Sequence, residues 1–299
     1  HPTLTHVTIL NNTVGNYGGG MSLWSSNPTL TNVTIIDNTA DDGGGMYLSS
    51  SNPTLTHVTI LNNTVENYGG GMYFYNSNPI LTHMTIVNNI ANSSGGGMNL
   101  DYSAPKLTNS IIWDNSPNSI AIYHEDVSAT LTYNNIENGE CVDENTNCAV
   151  WASNGECEIN PDYMLVNCAL SCGTCPNWWE GEGSINVDPL FTDPENGDYT
   201  LQEPSPCIDA GTADIDGDGV DDITDFIGLA PDMGAFEYSC ISEIYDDCGV
   251  CDGDNSSCTD CTGTVNGDAV EDCAGECNGI AITDECGVCD GDNSSCEES

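Results

Sequence analysis

A short unit returns every 25 or 26 residues, and that spacing constrains the fold more than any other feature of the chain. Pro2, Pro28, Pro53, Pro79 and Pro105 open successive units, and the text from Asn27, NPTLTNVTIIDNTADDGGGMYLSS, recurs almost unchanged from Asn52 and Asn78. A unit this short cannot enclose a core of its own, so it must stack on its neighbours and share one. Within each unit a Val-Thr-Ile type segment alternates with period two and is rich in β-branched residues. A Gly triplet follows, then a second alternating run such as Met72-Tyr73-Phe74-Tyr75. Helical periodicity is absent. The expected class is all-β: a parallel solenoid whose coils stack about 4.8 Å apart.

Stacking turns equivalent positions into columns. Met21, Met46, Met72 and Met98 share one, and Leu23, Leu48, Phe74 and Leu100 another, which together supply an apolar interior. Asn12, Asn38, Asn63, Asn89 and Asn115 form a column whose amides can hydrogen-bond along the stack, a structural role. His6, His57 and His83 share a position filled by Asn32 and Asn109 in other coils. Neighbouring imidazoles invite a metal, but no third ligand stands beside them, so the column reads as exposed and polar. If Met72 and Phe74 point inward, Tyr73 and Tyr75 point outward. Tyr47 then lies beside Tyr73, while Trp24 and Tyr123 fall in the Tyr75 column. Trp24, Tyr47, Tyr73 and Tyr75 are the candidate ligand-binding residues, because exposed aromatics can stack on sugar rings. Aromatic residues also favour strands for packing reasons alone, which is the competing reading.

These units resemble pectate-lyase-type right-handed parallel β-helix repeats over residues 1–138. The segment INVDPLFTDPENGDYTLQEPSPCIDAG, with APDMGAFEY after it, resembles the closing coils of bacterial secreted β-helix proteins. Residues 178–238 are accordingly expected to hold closing coils. Many proteins of this fold cleave acidic polysaccharides, using an Arg or Lys base beside calcium, or converging carboxylates. Here there is no Arg, and Lys106 sits next to Pro105 with no acidic cluster around it. Asp41, Asp42, Glu66 and Asp101 are scattered among units. No catalytic residue is assigned, and fold alone licenses no chemistry. The expectation is a protein that is not an enzyme; a polysaccharide lyase or hydrolase would need catalytic coils outside this sequence. His1 falls inside a repeat, so the chain reads as a fragment of a longer protein.

Charge narrows the partners. One Lys faces 47 Asp and Glu, a formal net charge of −46. Such a chain cannot build a phosphate-binding patch, which argues against nucleic acid and anionic membrane and in favour of divalent cations. No apolar run approaches the roughly 20 residues of a membrane-spanning helix. Seventeen cysteines, crowded into the second half, point to an oxidising compartment, hence a secreted or cell-surface protein.

Six of those cysteines, Cys141, Cys148, Cys157, Cys168, Cys172 and Cys175, lie within 35 residues, too few for a hydrophobic core. Spacing alone leaves their pairing open. The surrounding text, with WASNGEC, NPDYM and SCGTC, resembles the ShK-toxin-like (ShKT) domain, here spanning residues 139–177. That resemblance implies Cys141–Cys175, Cys148–Cys168 and Cys157–Cys172. Channel-blocking members of the family use a Lys followed by Tyr; this chain has Asp162 and Tyr163, so the resemblance carries no channel block.

Further on, DIDGDGVDDITD places Asp214, Asp216, Asp218, Asp222 and Asp225 at positions 1, 3, 5, 9 and 12 of a calcium loop. Gly219 stands at the sharp turn, and Val220 offers its carbonyl. The Asp at position 12 resembles dockerin and thrombospondin-type loops. Calcium is the expected cofactor, in a stabilising role. Residues 239–299 form a cysteine-rich tail in which CGVCDGDNSSC occurs at Cys248 and again at Cys286. It is expected to consist of small units, each closed by its own disulfides, with Asp252, Asp254, Asp290 and Asp292 as weak calcium candidates. Cys207 is left as the unpaired cysteine, buried as a small apolar residue. The functional expectation is adhesion, glycan binding or display, with carbohydrate or an extracellular surface ligand as partner. A purely structural spacer is the plainest alternative.

Overall fold

The computed structural model describes residues 2–123, 129–137, 147–159, 171, 181–239, 260–264, 267, 269–270, 272–284 and 289. The chain divides into two compact units, His1–Tyr238 and Ser239–Ser299.

The first unit is a parallel β-solenoid. One sheet takes a short strand from each of five coils: Met21–Trp24, Met46–Ser49, Met72–Tyr75, Met98–Asp101 and Ile120–Ile122. A second is built on the long strands Thr29–Ile36, Thr54–Leu61 and Ile80–Val87, flanked by shorter strands of the first and later coils. A third, narrow sheet joins Thr39–Ala40, Thr64–Val65 and Ile90–Ala91. The registers reproduce the sequence columns: Met46 pairs with Met21 and Met72, and Leu48 with Leu23 and Phe74. These columns and those of Leu30, Leu55 and Leu81 form one continuous core. Fully burying each such side chain contributes about 1.5–3 kcal/mol.

Every coil turns at corners held in the left-handed conformation, and the residue types follow from that. His6, Asn32, His57, His83 and Asn109 occupy one corner, with φ between 51° and 55°. Asn11, Asp37, Asn62, Asn88 and Asp114 occupy the next. Asn, Asp and His are the non-glycine types that tolerate this region best. In the Gly triplet the duties are divided. Gly43 has φ of 63°, whereas Gly45 is forced by proximity: a Cβ there would lie 2.5 Å from the Gly71 carbonyl oxygen and 2.8 Å from Ile60 Cγ2.

The asparagine column is a closed hydrogen-bond ladder. Asn38 Nδ2 donates to Asn63 Oδ1 at 3.0 Å and Asn63 Nδ2 to Asn89 Oδ1 at 2.9 Å, while each Oδ1 also accepts the backbone N–H of the preceding asparagine. Two further ladders accompany it. The Ser51 and Ser77 N–H groups donate to Ser77 and Ser103 Oγ, and the Asn52 and Asn78 N–H groups donate to Asn27 and Asn52 Oδ1.

Residues 181–238 take a course other than further coils. Ile185 bridges Asn135 in parallel. The chain then forms an antiparallel pair, Phe191–Asp193 with Asp198–Leu201, turned through Pro194–Asn196 and a left-handed Gly197. Phe191, Tyr199, Leu201, Cys207 and Met233 pack on Leu61, Val87 and Ile111. Those three lie on the outer side of the long-strand sheet, since their neighbours Ile60, Ile86 and Ile112 belong to the inner core. The segment is a strap along the solenoid flank. Carboxylates knit its irregular backbone: Asp209 accepts the N–H groups of Leu229 and Ala230, and Asp232 those of Asp209 and Tyr238. Buried backbone donors outside regular structure need such partners. Cys207 is buried and carries no disulfide.

The second unit is bridged by Cys261–Cys277 and Cys273–Cys289, each closing 16 residues. Residues 260–269 and 272–281 share the pattern D-C-x-G-x-x-N-G-x-A, a period of 12. Asp260 accepts the N–H groups of Thr262, Thr264 and Ala269, and Asp272 those of Ala274, Glu276 and Ala281. Cys261–Cys277 joins the first of these units to the second, and Cys273–Cys289 runs from the second to the residues beyond it.

Candidate binding face and calcium loop

The outer side of the short-strand sheet carries an aromatic cluster. Strand register puts Tyr47 beside Tyr73, and Trp24, Ser49, Tyr75 and Asp101 in one column. The Tyr47 and Tyr73 rings stack at 5.3 Å and 8°. Tyr17 and Trp24 close over Tyr47 at 4.5 and 5.4 Å. The four candidate residues thus separate. Tyr47 is only 6% exposed and Tyr73 is half-buried, so they offer ring edges and hydroxyls. Trp24 at 57% and Tyr75 at 38% present ring surface to solvent. Sequence reasoning missed three neighbours, Tyr17, Tyr68 and Tyr102, because they lie at corners outside the alternating strands. Tyr68 lies 6.5 Å from Tyr73, and Tyr102 6.5 Å from Tyr75.

Two carboxylates sit among these rings. Tyr73 Oη donates to Asp101 Oδ2 at 3.1 Å, and Asp42 Oδ1 accepts the Tyr68 N–H at 3.2 Å. Burial holds the Asp42 carboxyl above its usual range despite that bond. Burial, with the nearby negative charge of Asp42 and Asp101, pushes the Tyr47 phenol up to about 12 and Tyr73 further in the same direction.

The histidine corner is not the exposed polar column the alternation suggested. His83 is 1% exposed, and its ring stacks on His57 at 4.6 Å. His57 Nδ1 meets the Ala235 carbonyl and His83 Nδ1 the Gly234 carbonyl, both at 3.2 Å. Asn109, in the same column, bonds Thr212 through both ends of its amide. The column is therefore a docking seam for the strap. Burial, then the neighbouring His57, lowers His83 to about 4, so it is neutral near pH 7.

In the acidic loop, single carboxylate oxygens of Asp214, Asp216 and Asp218 all lie within 4.8 Å of one another. Carboxylate oxygens are the ligand type that calcium takes. The Asp214 carboxylate accepts the N–H groups of Gly217, Asp218 and Gly219, the last of which does most to hold its pKa below the usual value. Asp222 stands across the loop and accepts the Ile215 N–H at 3.0 Å. Asp225 is exposed and lies outside the three-carboxylate cluster; Val220 is exposed, with its N–H on Asp218. Lys106 is not isolated in space: its Nζ donates to the Ile215 carbonyl at 2.7 Å and pins the loop to the solenoid.

Of the ShKT-like insertion, the helices Cys148–Ser153 and Glu156–Ile159 are described, and Cys148 and Cys157 are both disulfide-bonded. Cys141, Cys168, Cys172 and Cys175, and with them the three expected pairings, lie outside the described residues, as do Asp162, Tyr163, Asp252, Asp254, Asp290 and Asp292. Among the described residues no helix is long and apolar enough to cross a membrane.

Fold and sites together define a disulfide-bearing β-solenoid protein with an inserted small module, and its disulfides and module fit an extracellular protein. Residues 140–175 match the ShK domain-like family. The chain is 42% identical over 74 residues to peroxidase skpo-1 of Caenorhabditis elegans, covering 23% of this chain and 11% of the peroxidase. It is 42% identical over 60 residues to peroxidase mlt-7 of the same organism, covering 19% of this chain and 8% of that protein. Conotoxin Im14.3 of Conus imperialis is 59% identical over 29 residues, covering 10% of this chain and 40% of the toxin. The chain thus spans about a tenth of the length of the two peroxidases it matches. No solved structure matches it.

Proposed function

We propose that this chain is the binding and display part of an extracellular protein. Its β-solenoid, of the right-handed pectate-lyase-like type, holds carbohydrate against the aromatic face. One observation carries the reading: Trp24, packed on Tyr47, and Tyr75, packed on Tyr102, keep ring surface in solvent on one sheet face. Exposed aromatic patches of this kind mark interaction sites on soluble proteins. In this reading the chain binds and does not catalyse, and calcium at Asp214, Asp216 and Asp218 stiffens the strap beside Lys106. The test is binding of the whole chain to a panel of soluble oligosaccharides, in calcium, with Trp24→Ala and Tyr75→Ala variants. Binding that falls in both variants supports the reading; a blank panel overturns it. A structural spacer is the rival, favoured by the near-complete burial of Tyr47 under its neighbours. It predicts no ligand and unchanged behaviour in both variants.

A further inference from the structure

Resting on the reading of the aromatic face as a carbohydrate site, we propose that its ligand is an uncharged, extended β-1,4-linked glycan. It lies along the solenoid axis with every second sugar over an aromatic ring. The observation is a period of two coils within the stack. One outward column of the short-strand sheet runs Trp24, Ser49, Tyr75, Asp101 and Tyr123, so rings alternate with shorter side chains from coil to coil. All three rings are exposed, Tyr123 at 63%, whereas Ser49 and Asp101 are buried between them. The neighbouring corner column alternates in the same phase, with Asp42 between Tyr17 and Tyr68, and Ser94 after them. The relief is a row of raised rings separated by recesses, not a continuous aromatic strip.

Coil spacing then selects the linkage. Strands of adjacent coils lie about 4.8 Å apart, so rings two coils apart recur at about 9.6 Å along the axis. Two residues of a β-1,4-linked chain cover much the same length. Equatorial bonds keep that chain straight and turn successive sugars over, so every second ring returns in the same orientation. Alternate sugars can then lay a C–H face on Trp24, Tyr75 and Tyr123, while those between them pass over Ser49 and Asp101. An α-1,4-linked chain curls and a β-1,3-linked chain winds, and neither stays in step with a straight column. Charge removes the acidic members of the class, since a uronate or sulfated polymer would add like charge to a chain already at −46. Each ring is also held by a neighbour before any ligand arrives, which lowers the ordering cost of binding. Trp24 Nε1 donates to Ser22 Oγ at 2.9 Å, Tyr75 packs edge-on against Tyr102 at 6.5 Å, and Tyr123 against Tyr68 at 6.2 Å.

The experiment titrates the whole chain, in calcium, with glucose hexamers linked β-1,4, β-1,3 and α-1,4, and with the β-1,4-linked trimer. The β-1,4 hexamer is expected to bind about ten-fold tighter than either other hexamer. It should also bind tighter than its own trimer, which is too short to reach all three rings. Tyr123→Ala removes a ring that the carbohydrate reading itself does not use. It should weaken the β-1,4 hexamer about five-fold, the loss of one ring contact, and leave the trimer within about two-fold. Circular dichroism checks the fold. Equal affinity for the three linkages, or a preference for β-1,3 or α-1,4, overturns the axial register while the carbohydrate reading stands. A trimer as tight as the hexamer, or wild-type hexamer affinity in Tyr123→Ala, does the same. No binding of any of these glucans overturns this inference, and a blank oligosaccharide panel beside it overturns the carbohydrate reading as well.

Discussion

Adjacent asparagines at the same turn should differ sharply in their cost of removal. Asn63 is buried; its Nδ2 donates to the Ile35 carbonyl at 3.1 Å and to Asn89 Oδ1 at 2.9 Å, and its Oδ1 accepts both the backbone and side-chain N–H of Asn38. Asn63→Ala leaves the buried Asn38 N–H without its acceptor and takes a donor from the Ile35 and Asn89 oxygens. At about 1–3 kcal/mol for each buried group left unsatisfied, the loss should reach about 4 kcal/mol. Asn62 is exposed and supplies mainly tolerance of a φ of 54°. Asn62→Ala should therefore cost about 1 kcal/mol, and Asn62→Gly less still. Urea denaturation of the whole chain, followed by the far-ultraviolet β signal, measures all three. A cost for Asn63→Ala no larger than that for Asn62→Ala would refute the view that the ladder holds the turns.

The remaining predictions concern the strap, the loop and the acid limb. Adding calcium should raise the melting temperature relative to chelator, and Asp214→Asn with Asp218→Asn should remove that rise; an unchanged melt in wild type rejects the ion. Lys106→Met should lower the melting temperature both with and without calcium, because it breaks the tie to the Ile215 carbonyl and not the donor set. His83 is lowered in the folded state to about 4, so its neutral form costs the fold stability as pH falls from about 6.5 to 4, by about 3 kcal/mol in all. Asp232, raised by burial to about 7, acts oppositely: its contribution is present at low pH and is lost as pH rises through 7. The two slopes oppose each other between pH 4 and 6.5. His83→Asn, the residue used at this corner in other coils, should therefore leave a chain whose stability relative to wild type improves on acidification, and a constant difference across that range would reject the buried neutral imidazole.

The solenoid was legible because periodicity is a geometric signal. A repeat of 25 or 26 residues can be satisfied only by stacking, and the Met, Leu and Asn columns follow from equal positions meeting equal positions. The strap was not legible, since its contacts join residues far apart in the chain, such as His57 with Ala235 and His83 with Gly234. Nothing in the local text near His83 announces a cover. One clue was present: in five successive coils the corner position holds His or Asn, the types suited to left-handed backbone, and a left-handed residue interrupts strand alternation. The aromatic face was legible by column but not by exposure, because ring stacking that buries Tyr47 depends on Tyr17 from a different part of the coil. In the acidic loop, Asp214, Asp216 and Asp218 come close because they alternate along one tight turn, while Asp222, four residues on, is tied to the Ile215 N–H across it.

The strongly acidic composition is also structural. With one Lys in the chain, carboxylates cannot be satisfied by ion pairs, and the fold turns them onto backbone donors instead. Asp209 and Asp232 do this in the strap, Asp214 in the loop, and Asp260 and Asp272 in the tail. In the tail each carboxylate gathers three N–H groups across ten residues, the work that a small core would do elsewhere. The consequence is testable in acid. The Thr262 hydroxyl first, then the backbone N–H of Thr264, holds Asp260 at about 2, so its contribution is present above its unfolded value near 3.9 and is lost only as pH falls through about 2. Amide exchange at Ala269, whose N–H is held by Asp260 Oδ2, should stay slow at pH 3 and become fast below 2. Asp260→Asn keeps one acceptor oxygen and replaces the other with a donor, so it should expose Ala269 at every pH while leaving Thr262 and Thr264 protected. Protection of Ala269 that survives the substitution would show that the disulfides alone hold the unit.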